Sequence, residues 1–171
     1  RVHLFGDDVT RLSERNRARR GVSRTFQVST LFEQLSVLEN VLLAAQSGSG
    51  TSRSFWSGSP ARGRHAEVAR DMLERVGLAA RADVRVAELS HGEHRQLELA
   101  AALVPEPRLL LLDEPAAGLS AGEREMLRGL LRAIPDHVGV VLIEHDMSLV
   151  MEFAHEVLCL DNGVPLAHGS P

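Results

Sequence analysis

Lysine is absent from this chain: all 19 basic residues among its 171 are arginine. The phosphate-gripping loop G-x-x-x-x-G-K-[ST] needs that lysine, because backbone amides cradle the inner phosphates while its ammonium reaches the terminal ones. No such loop is present. Cysteine is nearly absent too. Cys159 stands alone, which excludes an internal disulfide, and its neighbours Val157, Leu158 and Leu160 predict a buried, inert thiol in an apolar strand. No run approaches the roughly 20 apolar residues that cross a bilayer, and no charged-then-apolar leader opens the chain. The expectation is a chain that neither spans a membrane nor is exported, and that meets a membrane only through a partner. The net charge of −4 has its signs interspersed, without the basic stripe that gathers nucleic acid, so nucleic acid is not an expected partner. The chain starts at Arg1 and stops at Pro171 soon after a strand-like segment, and both ends read as cuts.

What is there is a soluble-type composition, 44% hydrophobic, with enough residues for one core of ordinary size. Residues 1–5 read as a short strand before a turn at Gly6-Asp7-Asp8. Residues 11–20 have polar helical character, ended by Gly21, and residues 22–26 form a plausible strand. Helical spacing occupies residues 37–45. The Ser-, Gly- and Arg-rich residues 46–63 read as a surface loop or insertion, and helical spacing returns at Glu67, Val68, Met72, Leu73 and Val76 before Gly77 stops it. From Ser90 onward strand and helix alternate: helix over 92–103, apolar strand over 109–112, helix over 123–133, apolar strand over 138–143, and a short helix over 147–153. A hairpin then turns on Asn162-Gly163. Uniformly apolar strands separated by helix-length crossovers predict a parallel sheet covered on both faces.

Chemistry concentrates where these strands stop. Leu109-Leu110-Leu111-Leu112 ends abruptly in Asp113-Glu114-Pro115, and in open parallel sheets ligands bind beyond the carboxyl ends of strands. Acids at a strand end also serve simply to cap a following helix, and this pattern alone does not separate the two readings. The next strand ends likewise in Glu144-His145-Asp146. A histidine in that place could sense a phosphate or hold an attacking water's surroundings, although a lone histidine is more often structural. Leu89-Ser90-His91-Gly92-Glu93 opens a helix. Ser90 and Glu93 make an S-x-x-E capping box, and the same helix end offers free amides and the positive dipole end to an anion. Gln27, taken by itself, is an ordinary polar residue after a strand.

The order of these features resembles the ABC ATPase family over essentially the whole chain. Gln27 resembles the Q-loop, residues 89–96 the signature (usually L-S-G-G-Q, here L-S-H-G-E), Asp113 and Glu114 Walker B, and His145 the switch histidine. A closer likeness, carried by residues 21–27, 35–41, 113–119 and 144–147 together with the 46–63 insertion, is to the ATPase subunits of branched-chain amino acid uptake systems, with urea and other amide importers as near relatives. His91 and Glu93 depart from the usual signature, and Ser120 stands where the common D-loop carries aspartate.

The resemblance implies an α/β fold, a P-loop NTPase-like parallel sheet core with helices on both faces and an inserted α-helical subdomain. Its segments would be residues 1–30 (a truncated core part ending in the Q-loop), 31–88 (the helical subdomain) and 89–171 (signature helix and C-terminal core). It implies ATP and Mg²⁺ as ligands, with Glu114, His145 and Gln27 catalytic, Asp113 and Gln27 at the metal, and Ser90, His91, Gly92 and Glu93 touching nucleotide held by a second ATPase subunit, identical or different. Integral membrane permease subunits, and indirectly an extracytoplasmic solute-binding protein, complete the implied assembly at the cytoplasmic face of the membrane. The resemblance also implies that a short helix of the permease is received near residues 31–40. The alternative is a non-catalytic or soluble ABC-type module that supplies its signature helix to a partner's nucleotide site. Against a soluble relative in DNA repair or translation stand the absence of zinc-ligand cysteine pairs, long heptads and a second signature.

Overall fold

A computed structural model describes residues 1–25, 31–48 and 60–171, the side chains of 47, 48 and 60–62 excepted. Its centre is a parallel sheet of order β3–β4–β5, formed by Val22–Arg24, Leu109–Asp113 and Gly139–Ile143. Val22 pairs with Leu109, and Leu109 with Gly139. Parallel neighbours need long crossovers, and helices supply them. The β3-to-β4 connection carries α2 (Val37–Gly48), α3 (Pro60–Arg75) and α4 (His91–Leu103), whereas α5 (Ala121–Arg132) alone links β4 to β5. Upstream of the sheet lie β1 (His3–Leu4), β2 (Asp7–Asp8) and α1 (Glu14–Ala18); downstream lie α6 (Met147–Phe153), β6 (Val157–Asp161) and β7 (Val164–Gly169).

Helix boundaries follow local chemistry. At α2, Glu39 accepts the Ser36 N–H at 2.7 Å and donates its own N–H to the Ser36 hydroxyl, a reciprocal cap. The buried Asn40 closes the preceding loop: its side-chain oxygen accepts the Phe32 N–H at 2.8 Å, and its amide donates to the carbonyls of Phe32 and Ser36. Gly77 takes φ +76° just beyond α3, and the Leu78 N–H bonds back to the Leu73 carbonyl at 2.8 Å. That is the left-handed stop glycine favours.

One apolar cluster runs from Val37 and Val41 of α2, through Leu73 of α3 and Leu97 of α4, to Leu110 and Leu112 of β4 and Leu149 of α6. Fully burying each leucine contributes about 1.5–3 kcal/mol. Leu110 and Leu112 are completely enclosed, so β4 is the axis of the core. The edge strand β5 differs, leaving Val140, Val141 and Ile143 exposed, Ile143 by 57%. Among the described residues no helix is long and apolar enough to cross a membrane.

Three expectations change. Asp7 and Asp8 are a strand paired with His3 and Leu4, and the tight turn falls one step earlier on Phe5 and Gly6, at φ +55° and +91°. Residues 46–48 and 60–63 belong to α2 and α3, which shortens the expected insertion at both ends; residues 49–59 lie outside the described residues. Cys159 is exposed. Among the described residues the β6–β7 hairpin, turning on Asn162 and Gly163 with φ +48° and +80°, pairs with no other strand, and of the apolar neighbours that suggested burial Leu158 and Leu160 are exposed and Val157 is half-buried.

Candidate functional site

The carboxyl ends of β4 and β5 bring the expected acids and histidine together. Asp113 is the last residue of β4, paired with Ile143 at the end of β5. Glu114 then adopts φ +47°, a left-handed conformation uncommon for a non-glycine residue, and its N–H bonds the Ile143 carbonyl at 2.9 Å. This cross-strand bond fixes Glu114 where the strand stops. Its carboxylate lies 3.9 Å from His145 Nδ1, and the imidazole is 76% exposed. Asp113, far less exposed, is paired with the Arg24 guanidinium at 3.0 Å.

Glu144 organises the same region from beneath. Its side chain is 1% exposed, and its carboxylate accepts three backbone N–H groups: Ala116 at 2.8 Å, His145 at 3.0 Å and Asp146 at 3.3 Å. A buried polar group is tolerated only with such partners. Asp146 caps α6 by accepting from Ser148 and Leu149, and the Ser148 hydroxyl, first among these donors, holds its carboxyl below the usual aspartate range.

The start of α4 is built from hydrogen bonds. The Ser90 hydroxyl accepts the Glu93 N–H at 3.3 Å, Glu93 Oε2 accepts the Ser90 N–H at 2.8 Å, and Glu93 Oε1 lies 2.9 Å from Arg81. Bonds from the Ser90 amide, then its hydroxyl, and the charge of Arg81 hold Glu93 below the ordinary glutamate range. The helix start borders a cavity of about 310 Å³ that extends between α4 and α5 past Gln96, Leu119 and Met126. His91 packs against the loop after β4, where Gly118 has φ +74° and a Cβ would fall 3.1 Å from His91 Nε2.

Of the expected site residues, Asp113, Glu114 and His145 form one group, and Ser90, His91, Gly92 and Glu93 form another around the first turn of α4. Gln27 lies outside the described residues. Three further residues bear on the site. Arg24 and Glu144 act across strands, which no local pattern signals. Glu123 was findable, since Ser120 and Glu123 repeat the S-x-x-E spacing of Ser90 and Glu93.

A family model described as ABC transporter matches residues 1–117. The chain belongs to the ABC transporter family. It is 37% identical over 179 aligned positions to the high-affinity branched-chain amino acid transport ATP-binding protein BraF of Pseudomonas aeruginosa, covering 99% of this chain and 69% of BraF. It is 40% identical over 163 positions to the corresponding LivG of Salmonella typhimurium, covering 90% of this chain and 63% of LivG. The ADP conformation of MJ1267, described as an ATP-binding cassette of an ABC transporter, superposes with a TM-score of 0.78 at 26% identity, over 96% of this chain and 66% of that one. The expected ABC cassette fold, a parallel sheet with packed helices, is therefore the fold observed.

Proposed function

We propose that this chain is the hydrolytic and partner-facing part of the ATPase in an ABC importer for branched-chain amino acids, working at the cytoplasmic face of the membrane. The substrate class is that of BraF and LivG, at 37% and 40% identity. The observation that carries the chemistry is the placement of Glu114 and His145 within 3.9 Å of one another beside Asp113, at the joined ends of two parallel strands.

The donor set fits Mg²⁺: Asp113 is a carboxylate that already takes a cationic group, Arg24, at 3.0 Å. Gln27 is the second residue proposed at the ion, and no group of three or more acids, histidines or cysteines suited to a metal occurs among the described residues. That suits an ion that draws its remaining oxygens from phosphates and water. Mg²⁺ there would neutralise charge developing on the transferred phosphoryl group. Glu114 orients the attacking water and accepts its proton, and His145 steadies the same water or the terminal phosphate. Gln27 is the third residue proposed for the hydrolytic step. Ser90, His91, Gly92 and Glu93 face nucleotide held by a second ATPase subunit, because free amides at a helix start suit phosphate. The permease is received near residues 31–40, where Phe32 is exposed, and the solute-binding protein acts through the permease. Of the three sequence segments, 1–30 carries Gln27, 31–88 meets the permease, and 89–171 carries Asp113, Glu114, His145 and the partner-facing start of α4.

In the transporter assembled with its permease, Glu114→Gln keeps ATP binding and lowers hydrolysis by about 10²–10⁴-fold, the range for losing a positioned general base. Undiminished hydrolysis would remove Glu114 from this role. The 171 residues alone, lacking lysine, hydrolyse no ATP.

A further inference from the structure

Asp113 already holds a cationic group, and the chain itself supplies it. Arg24 ends β3 in register with Leu111, two positions short of Asp113 on the neighbouring strand. Paired residues stand on one face of a sheet and the pattern repeats every second residue, so Arg24, Leu111 and Asp113 share a face. The Thr25 N–H bonds the Leu111 carbonyl at 3.0 Å and fixes the backbone at that point. From there Arg24 Nη2 donates to Asp113 Oδ2 at 3.0 Å. Among the described residues no other arginine lies within ion-pair distance of Asp113, Glu114 or Glu144, the three carboxylates where β4 and β5 stop. The two partners differ in freedom. The Asp113 side chain is 16% exposed and that of Arg24 50%, so the acid is held in place while the guanidinium can leave.

We infer that Arg24 is the resident counter-ion of the metal site: its guanidinium satisfies Asp113 in the free chain and swings away when Asp113 takes Mg²⁺. This rests on the reading of Asp113 as a Mg²⁺ ligand. A guanidinium offers five donors and no acceptor, so it cannot join the ion's ligands, and a positive charge a few ångströms from a divalent cation is repelled. The exchange leaves the sheet intact, because β3 is tied to β4 here through its backbone and not through the ion pair. Arg24 also borders a cavity of about 270 Å³ whose wall includes Glu98, which gives the departing guanidinium room beside a second acid. A charge-assisted hydrogen bond on a largely enclosed carboxylate is strong, so a bare divalent ion with one such ligand competes poorly against it. An ion that arrives with phosphates brings further oxygens and competes well. Arg24 therefore makes the free chain refuse stray metal while holding Asp113 in the position the metal needs.

The test is nuclear magnetic resonance on the ¹⁵N-labelled chain with Mn²⁺ as probe, because Mn²⁺ suits the same oxygen ligands as Mg²⁺ and its unpaired electrons broaden nearby amides. The Leu112 and Asp113 amides are followed. Arg24→Gln removes the charge and keeps a polar side chain, and should tighten Mn²⁺ binding about tenfold, the effect of deleting a like charge a few ångströms away near a surface. Arg24→Met also lacks the charge, should match it, and serves if the glutamine variant folds poorly. Arg24→Lys keeps the charge and should bind Mn²⁺ as the unsubstituted chain does. Asp113→Asn removes the ligand and should abolish the broadening. Equal or weaker binding in the uncharged variants, or equal tightening in the lysine variant, overturns the counter-ion and leaves Asp113 standing as a metal ligand, provided Asp113→Asn loses the broadening. Broadening that persists in Asp113→Asn, or that reaches these amides in none of the proteins, removes the metal reading and takes this inference with it.

Discussion

Two places in this chain gather charge at the end of an element, with opposite sign and different support. At the ends of β4 and β5 the converging groups are carboxylates, Asp113 and Glu114, and the chain meets Asp113 with the Arg24 guanidinium. At the start of α4 the converging groups are backbone amides; the chain meets that of Glu93 with the Ser90 hydroxyl and lays the Glu123 carboxylate against Gly92. Each place is satisfied internally by a side chain of the charge its ligand would bring. The sheet end stands on buried leucines, whereas the helix start stands on polar caps, so the two should respond to substitution on different scales.

The sheet end should be the more fragile. Leu112→Ala, directly before the acids and fully enclosed, is expected to cost about 2–5 kcal/mol of unfolding free energy in a urea titration, because a cavity adds to the lost transfer term. A cost below about 1 kcal/mol would mean that β4 is not the axis of the core. At the helix start, Ser90→Ala removes the acceptor for the Glu93 N–H and should cost about 1 kcal/mol by the same measurement. Gly92→Ala should alter stability by less than about 1 kcal/mol, since the gain in helix propensity offsets the displacement of the Glu123 side chain that lies against it. A Cβ there would meet Glu123 Oε1, Cδ and Cγ, so the flexible side chain must swing away as a whole. A much larger loss would show that Glu123 is held rigidly.

Acid sharpens the contrast further. Glu93, Glu123 and Asp146 have folded pKa values below their ordinary values, so their contribution is complete above the ordinary carboxylate pKa of about 4 and is lost as pH falls through the lowered folded values. Thermal midpoints measured toward acid pH should decline, and Glu93→Gln should flatten its share of that decline. No flattening would detach Glu93 from the α4 cap.

Local pattern made much of this structure legible. The capping box at Ser90 and Glu93, the apolar β4 ending at Asp113, the Asn162-Gly163 turn and the stop at Gly77 each depend on residues within a few positions of one another, and each is found where the spacing placed it. The approach of His145 to Glu114 was readable at one remove, since matching strand ends in a parallel sheet lie side by side. Other features depend on what packs from far along the chain. Arg24 reaches Asp113 across 89 positions, and Glu123 lies against Gly92 across α4 and β4. Cys159 is exposed although its strand is apolar, because cover is a property of neighbouring elements and not of the strand's own composition. Val140 and Val141 make the same point on β5, whose composition resembles that of β4 while its exposure does not.

Glu144 has a mechanical consequence. By accepting from Ala116 on one side and from His145 and Asp146 on the other, one carboxylate rivets the loop after β4 to the loop after β5. Glu114 and His145 therefore ride on a single plate, and their spacing is set before any ligand arrives. Whatever motion accompanies turnover must carry that plate as a whole.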